Sequence, residues 1–251
     1  MPPNCQLPVN RPPEALQFGS MYRERLAETL PRLRDRIAGA AAEAGRDAAA
    51  VRVVAVTKAH PLEALEAALD VGLRDLGENR IEELEGKVAA LGRDRAVWHM
   101  IGHLQGRKAP RAVGLAHMIH SVDSVRLAQR LSRTGMERGL EVRVLVQVNT
   151  AGEESKSGLA VASAVEEVHQ MAELPGLEVA GLMTMAPFVD DEAVLSEAFG
   201  RLRETLEAVR AVAPGVGAEL SMGMTNDLEM AIREGSTMVR IGTALFGERV
   251  R

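Results

Sequence analysis

A single cysteine, Cys5, stands among the 251 residues. One cysteine cannot close an intramolecular disulfide, nor can it build a cysteine-based zinc site. That scarcity fits a reducing compartment, and a cytoplasmic protein is expected. Long hydrophobic runs are also missing, since none reaches the ~18 residues that span a bilayer. The opening stretch "MPPNCQLPVNRPPEALQFGS" has neither the basic start nor the apolar core of a secretory signal. Nor is there an excess of positive charge. With a formal net charge of −5, the chain offers no general reason to bind nucleic acid or an anionic membrane. Its one dense basic spot, Arg107, Lys108 and Arg111, reads as a solvated face or a contact for a small anion. Glycine-rich phosphate loops are lacking too. No G-x-G-x-x-G follows a strand candidate, and no G-x-x-x-x-G-K-[ST] occurs.

What the chain does have is a regular alternation of apolar patterns. Residues 1 to about 20, rich in proline, read as a mobile extension. From 21 to 45 a helical period places Leu26, Leu30, Leu33 and Ile37 on one face, with Pro31 expected to kink or restart the helix. Tyr22 is expected on its outside. Strand patterns then follow at 51–58, 75–78, 97–103, 116–121, 142–149, 177–185, 218–223 and 237–242. Helical patterns fill the gaps at 61–71, 80–91, 106–114, 124–138, 158–173, 190–213 and 226–234. Strands such as "VRVLVQV" are almost continuously apolar, as parallel strands covered by helices should be. Eight strands and seven intervening helices predict an α/β fold, a single (β/α)₈ barrel over 21–251 with an extra N-terminal helix. An open doubly wound sheet is the competing architecture.

In a barrel the chemistry lies at the C-terminal ends of the strands. The first such end, in "VRVVAVTKAHP", carries Lys58. Strand-end lysines often only reach out to water. The last two strand ends, "LSMGMTND" and "VRIGTALFG", hold the small and hydroxyl residues with which this architecture commonly grips a phosphate. A lysine, a phosphate cup and Arg240 at one mouth suit a carbonyl cofactor carrying a phosphate, and pyridoxal phosphate fits that description. Arg240 would then face the pyridine nitrogen and keep it unprotonated.

Seven strings in order, "VAVTKAHP", "LGENRIEE", "WHMIGHLQGRKAP", "SVDS", "VQVNTAGEESKSGL", "GLMTMAP" and "LSMGMTNDLEMAIREGSTMVRIGTALFG", resemble the pyridoxal phosphate homeostasis family. The likeness runs from about Met21 to Gly247. It implies a fold-type III barrel related to the barrel half of alanine racemase, with no C-terminal β-domain. It further implies that Lys58 forms a Schiff base with pyridoxal 5′-phosphate, and that Ser221, Gly223, Gly242 and Thr243 belong to the phosphate-binding strings. Arg240 falls on the ring-facing arginine, while Asn79 and His99 lie in strings near the cofactor. The family pattern "LQSNK" is here "LQGRK", so Gly106 and Arg107 depart from it.

Bland readings stand beside these. His99 and His103 are four apart, but they lie on a strand without an H-E-x-x-H pattern, so packing is expected rather than metal binding. Asp123 in "SVDS" reads as a helix N-cap or a catalytic group. Methionines 183 and 185 read as barrel core and pocket wall. A racemase needs a base on each face of its substrate, and Tyr22 is the sole tyrosine. The reading is therefore a monomeric, non-catalytic carrier that buffers pyridoxal phosphate or passes it to apoenzymes. A monomeric racemase or weak lyase is the first alternative, and a cofactor-free barrel enzyme acting on phosphorylated sugars is the second.

Overall fold

The computed structural model describes residues 13–153 and 156–248. Nine strands occur among them, all paired in parallel: β1 (Arg52–Val56), β2 (Asp75–Glu78), β3 (Val97–Met100), β4 (Met118–Val122), β5 (Val142–Asn149), β6 (Leu159–Ala160), β7 (Leu177–Met183), β8 (Glu219–Ser221) and β9 (Met238–Ile241). The nine α-helices are α1 (Pro13–Glu43), α2 (Leu62–Asp70), α3 (Ile81–Leu91), α4 (Ala109–Ala112), α5 (Val125–Arg138), α6 (Val161–Ala172), α7 (Glu192–Val212), α8 (Leu228–Arg233) and α9 (Thr243–Phe246). Pairing runs β4–β3–β2–β1–β9–β8–β7–β5, and β4 pairs in turn with β5. Eight strands thus close a ring, which decides for the barrel and against the open sheet. Strand β6 is a two-residue ribbon held on β5 outside that ring. No described helix is long and apolar enough to cross a membrane.

The period-two alternation of each strand sorts its side chains into two separate cores. Outward-facing residues such as Ala55, Leu76, Trp98 and Ile119 join the helices in the large core. Inward-facing Val54, Met118, Leu145, Ala180, Met183 and Met238 form a smaller cluster inside the ring. That inner cluster fills only part of the lumen, because polar inward positions, His99, His120, Ser221 and Arg240, are buried there as well.

Helix α1 departs from the sequence expectation in two ways. It begins at Pro13, so residues 13–20 belong to the helix rather than to an extension, while 1–12 lie outside the described residues. It also passes through Pro31 unbroken. Pro31 faces solvent, and the lost backbone bond is outweighed by the buried stripe of Leu26, Leu30, Leu33, Ile37 and Ala41. Each buried leucine contributes on the order of 1.5–3 kcal/mol. Tyr22 lies four residues before Leu26, continues that stripe, and is buried rather than outside.

Candidate cofactor site

Strand β1 ends at Val56, and the chain turns sharply through Thr57, Lys58 and Ala59. Three groups hold this turn. The Thr57 hydroxyl donates to Glu78 Oε1 at 2.5 Å, and Lys87 Nζ donates to both the Thr57 carbonyl and Glu78 Oε1 at 2.7 Å. The Ala59 N–H donates to Glu83 Oε2 at 2.8 Å. Ala59 has φ +59°, the sole positive φ among described non-glycine residues, a conformation that costs an L-residue about 1–2 kcal/mol. Glu78 is fully buried. Desolvation raises its carboxyl above the ordinary range, against the opposing pull of Lys87 and the Thr57 hydroxyl. This cluster fixes the backbone from which the half-buried Lys58 projects.

Lys58 lines a cavity of ≈ 280 Å³ at the barrel mouth. Asn79 and Ile101, at the ends of β2 and β3, line it as well. Met185 and Phe188 after β7, the loop Met224 to Asp227 after β8, and Arg240, Gly242 and Thr243 of the β9 end complete the lining. Asn79 is positioned by a close approach of backbone, since a Cβ on Gly102 would fall 2.2 Å from the Asn79 carbonyl oxygen. The Asn79 side-chain Oδ1 is buried with no hydrogen-bond partner. A buried acceptor without a partner, on a residue that lines the cavity, is a group set for a ligand donor.

Arg240 forms the floor. Its Nη1 donates to the Ser221 carbonyl at 2.7 Å and to Ser221 Oγ at 2.8 Å, and its Nη2 donates to the Thr184 carbonyl at 2.9 Å. Burial pushes this guanidinium down to about 10, while the nearby Asp227 carboxylate acts to raise it. It therefore remains a cation near neutral pH and can only donate.

The sequence-derived residues divide into two groups here. Lys58, Asn79, Arg240, Gly242 and Thr243 converge on one cavity. Ser221, Gly223 and His99 are not among the residues lining it. Ser221 is fully buried beneath the floor, where its hydroxyl meets Arg240 and His120 Nδ1, the latter at 2.9 Å. Gly223, at φ +95°, is packed so that a Cβ would meet Ala231 Cβ at 2.6 Å. His99 lies deeper still, between Asp75 and His120. The hydroxyl that reaches the cavity from "LSMGMT" is Thr225, four residues past Ser221. Only the end of β8 at Ser221 separates these two positions, and the apolar pattern does not mark it. Phe188, highly exposed at the rim, was likewise outside the named residues.

Other candidates have structural duties. Tyr22 donates to or accepts from His60 Nδ1 at 3.0 Å, and its ring packs edge-on to His60 and Phe246. His103 pairs with Asp123 at 3.2 Å on the surface. Ser124, not Asp123, caps α5 by accepting from the Leu127 N–H. In the basic spot, Lys108 and Arg111 are paired with Glu82 and Glu85 of α3, and the exposed Arg107 donates to Gln105 Oε1. Met183 is barrel core and Met185 is pocket wall, as the pattern predicted.

Comparison with known proteins places this arrangement. A model of the family "Alanine racemase, N-terminal domain" matches residues 29–250. The pyridoxal phosphate homeostasis protein of Pseudomonas aeruginosa is 42% identical over 225 residues, spanning 89% of this chain and 96% of that one. A crystal structure of an unknown protein from Bifidobacterium adolescentis superposes with a TM-score of 0.84 at 41% identity, covering 90% of this chain and 96% of the other. PipY of Synechococcus elongatus with PLP bound gives a TM-score of 0.78 at 36% identity, over 88% of this chain and all (100%) of PipY. With a closed parallel barrel, a lysine at its first strand end and relatives matched over nearly their whole length, the chain belongs to the pyridoxal phosphate homeostasis protein family.

Proposed function

We propose that this chain binds pyridoxal 5′-phosphate in the mouth cavity and buffers or delivers it without turning over a substrate. The observation that carries the reading is the convergence of Lys58, Asn79 with its orphaned Oδ1, and the donor-only Arg240 in the lining of one cavity. The cofactor would supply an aldehyde that condenses reversibly with a primary amine, a ring nitrogen, a phenolic oxygen and a phosphate. Lys58 Nζ is the amine. Asn79 Oδ1 suits a hydroxyl donor, and Arg240 presents N–H groups to the acceptor-only form of the ring nitrogen. Thr225 and Thr243 offer hydroxyls to the phosphate, and Gly242 leaves the backbone between them open to close approach. Ser221 and His99 act on this site through Arg240 rather than by contact.

The same geometry argues for storage. A cation against the ring nitrogen opposes its protonation, so the ring withdraws electrons weakly and carbanion chemistry is disfavoured. A racemase reading draws on one observation: His60, buried against Tyr22, lines a cavity that shares Lys58 and Thr243 with the mouth.

Borohydride reduction of the loaded protein, followed by peptide mass spectrometry, tests the site. A pyridoxyl group is expected on the peptide bearing Lys58 and not in Lys58→Ala. A modification elsewhere, or none, would sink the reading. Exchange of amino-acid α-protons in heavy water separates carrier from enzyme. No lysine-dependent washout above that of free cofactor is expected, whereas ~1 per second or faster would establish the racemase or lyase reading.

A further inference from the structure

The lumen of the barrel holds a continuous chain of side-chain hydrogen bonds that no cavity or surface contact explains. It starts at Asp75, the first residue of β2, near the N-terminal rim. Asp75 Oδ1 lies 3.0 Å from His99 Nε2. His99 Nδ1 lies 2.8 Å from His120 Nε2, and His120 Nδ1 lies 2.9 Å from Ser221 Oγ. Ser221 Oγ then accepts from Arg240 Nη1 at 2.8 Å. Five strands contribute one member each, and the path runs from one end of the barrel to the floor of the mouth.

Its two ends are of opposite kind, and with both imidazoles neutral they fix every proton between them. An ionised carboxylate can only accept, so His99 must carry its proton on Nε2. A neutral His99 then offers a bare Nδ1, which obliges His120 to donate from Nε2. His120 in turn offers a bare Nδ1, so the Ser221 hydroxyl donates there and keeps its lone pairs for Arg240. A guanidinium can only donate, and it closes the series. No other arrangement with a charged Asp75 and two neutral imidazoles satisfies all four contacts. Burial holds His120 well below the ordinary histidine range, and the guanidinium charges of Arg240 and Arg52 act in the same direction. The neutral form that the chain requires is therefore the one its surroundings favour.

We propose that His120, through Ser221, is a positioning residue for Arg240, and that the oriented Asp75–His99–His120–Ser221 chain holds the guanidinium as a fixed donor facing the bound ring. This rests on the cofactor reading given above. The lumen supplies partners to three guanidinium N–H groups, two on Ser221 and one on the Thr184 carbonyl. Among the described residues, the remaining two have no partner. Loss of the Ser221 hydroxyl contact leaves Nη1 with the Ser221 carbonyl alone and free to turn toward another acceptor, and the Asp227 carboxylate, which lines the cavity, already acts on the guanidinium.

Cofactor-free protein labelled with ¹⁵N-histidine tests the orientation without any variant. Both imidazoles are expected as neutral Nε2–H tautomers at neutral pH, with a scalar coupling from His120 Nε2 to His99 Nδ1 across the hydrogen bond. A proton on His120 Nδ1, or an imidazolium at either position, would overturn the chain. His120→Asn and Ser221→Ala then test the positioning role. Hydrogen bonds to charged groups contribute about 1.5–3 kcal/mol, so cofactor dissociation constants about tenfold or more higher are expected. The absorption maximum of the bound cofactor should shift with them, which a fold defect alone would not cause. Ser221→Ala removes one oxygen and serves if His120→Asn does not fold. Wild-type affinity and an unmoved band in Ser221→Ala would overturn the proposal while leaving the cofactor site intact. Failure of the wild-type protein to take up any cofactor would instead overturn the site itself, and the positioning role with it.

Discussion

Two buried polar assemblies flank the mouth cavity, and they are built on opposite plans. Behind Lys58, Glu78 and Lys87 form a charged pair that leaves one carboxylate oxygen, Glu78 Oε2, without a partner. Beneath Arg240, two imidazoles and a hydroxyl form a hydrogen-bonded chain whose members are all satisfied. The first fixes backbone, holding the Thr57–Ala59 turn from which a lysine projects. The second fixes a side chain, a guanidinium. A backbone carbonyl and a strained N–H need strong, charged partners. A guanidinium already carries its charge and needs only an acceptor with a defined orientation. The two plans also respond to pH with opposite sign, which makes them separable in solution.

The largest effect should come from breaking the charged pair. Lys87→Met leaves Glu78 buried without a counter-charge, and a loss of about 3–5 kcal/mol in unfolding free energy is expected by urea denaturation. A loss below ~1 kcal/mol would mean that Glu78 is protonated in the folded protein and that the pair is not ionic.

Next in size are the pH profiles. The folded Glu78 carboxyl lies above its unfolded range, so the folded state binds the proton more tightly. Its contribution is therefore present in acid and is lost as pH rises past the ordinary carboxylate value of about 4.3. Glu78→Gln should gain stability relative to wild type as pH climbs from about 4 toward neutrality. His120 lies below its unfolded range, so its contribution is present above about pH 6.5 and is lost as pH falls through and below that value. His120→Asn should flatten the acid limb that Glu78→Gln leaves in place. Denaturant midpoints measured across pH 4–8 would show both, and parallel curves for the two variants would break the comparison.

A smaller change is expected at the turn itself. Ala59→Gly relieves the left-handed strain and should gain up to about 1 kcal/mol, offset in part by the extra freedom of the unfolded chain. Glu83→Gln in that background should cost less than in wild type, because the N–H it holds is no longer strained. Smallest of all, Arg111→Ala removes exposed ion pairs to Glu82 and Glu85 and should leave the melting temperature unchanged. A clear drop would show that this rim pairing supports α4, unlike an ordinary surface contact.

The barrel was legible because each strand carries a strong apolar pattern and each connecting helix has its own period. Seven of the eight ring strands fall within the expected segments, and β4 runs one residue past its segment, to Val122. The placement of Lys58, Asn79 and Arg240 at the mouth was legible because each stands on, or within two residues of, the end of such a strand. Ser221, which the resemblance puts in a phosphate-binding string, is buried behind Arg240 in this structure. Its string spans the point where β8 stops, and a pattern of small residues does not say which member is the last to face the lumen. Thr225 was missed for the same reason. Tyr22 could have been found, since a helical stripe through Leu26 and Leu30 extends back to it by one more turn.

Sequence by itself determined eight parallel strands alternating with helices, the strand ends at which the chemistry of such a fold sits, and the lysine that stands at the first of them. Those follow from local periodicity and chain direction, which are written residue by residue. The tertiary structure alone decided which polar groups face each other across the lumen. His99, His120, Ser221 and Arg240 lie on four different strands, and their contacts, up to 101 positions apart in the chain, depend on how the ring closes and on the stagger between strands. No local pattern encodes that stagger, because it is set only when the last strand pair meets.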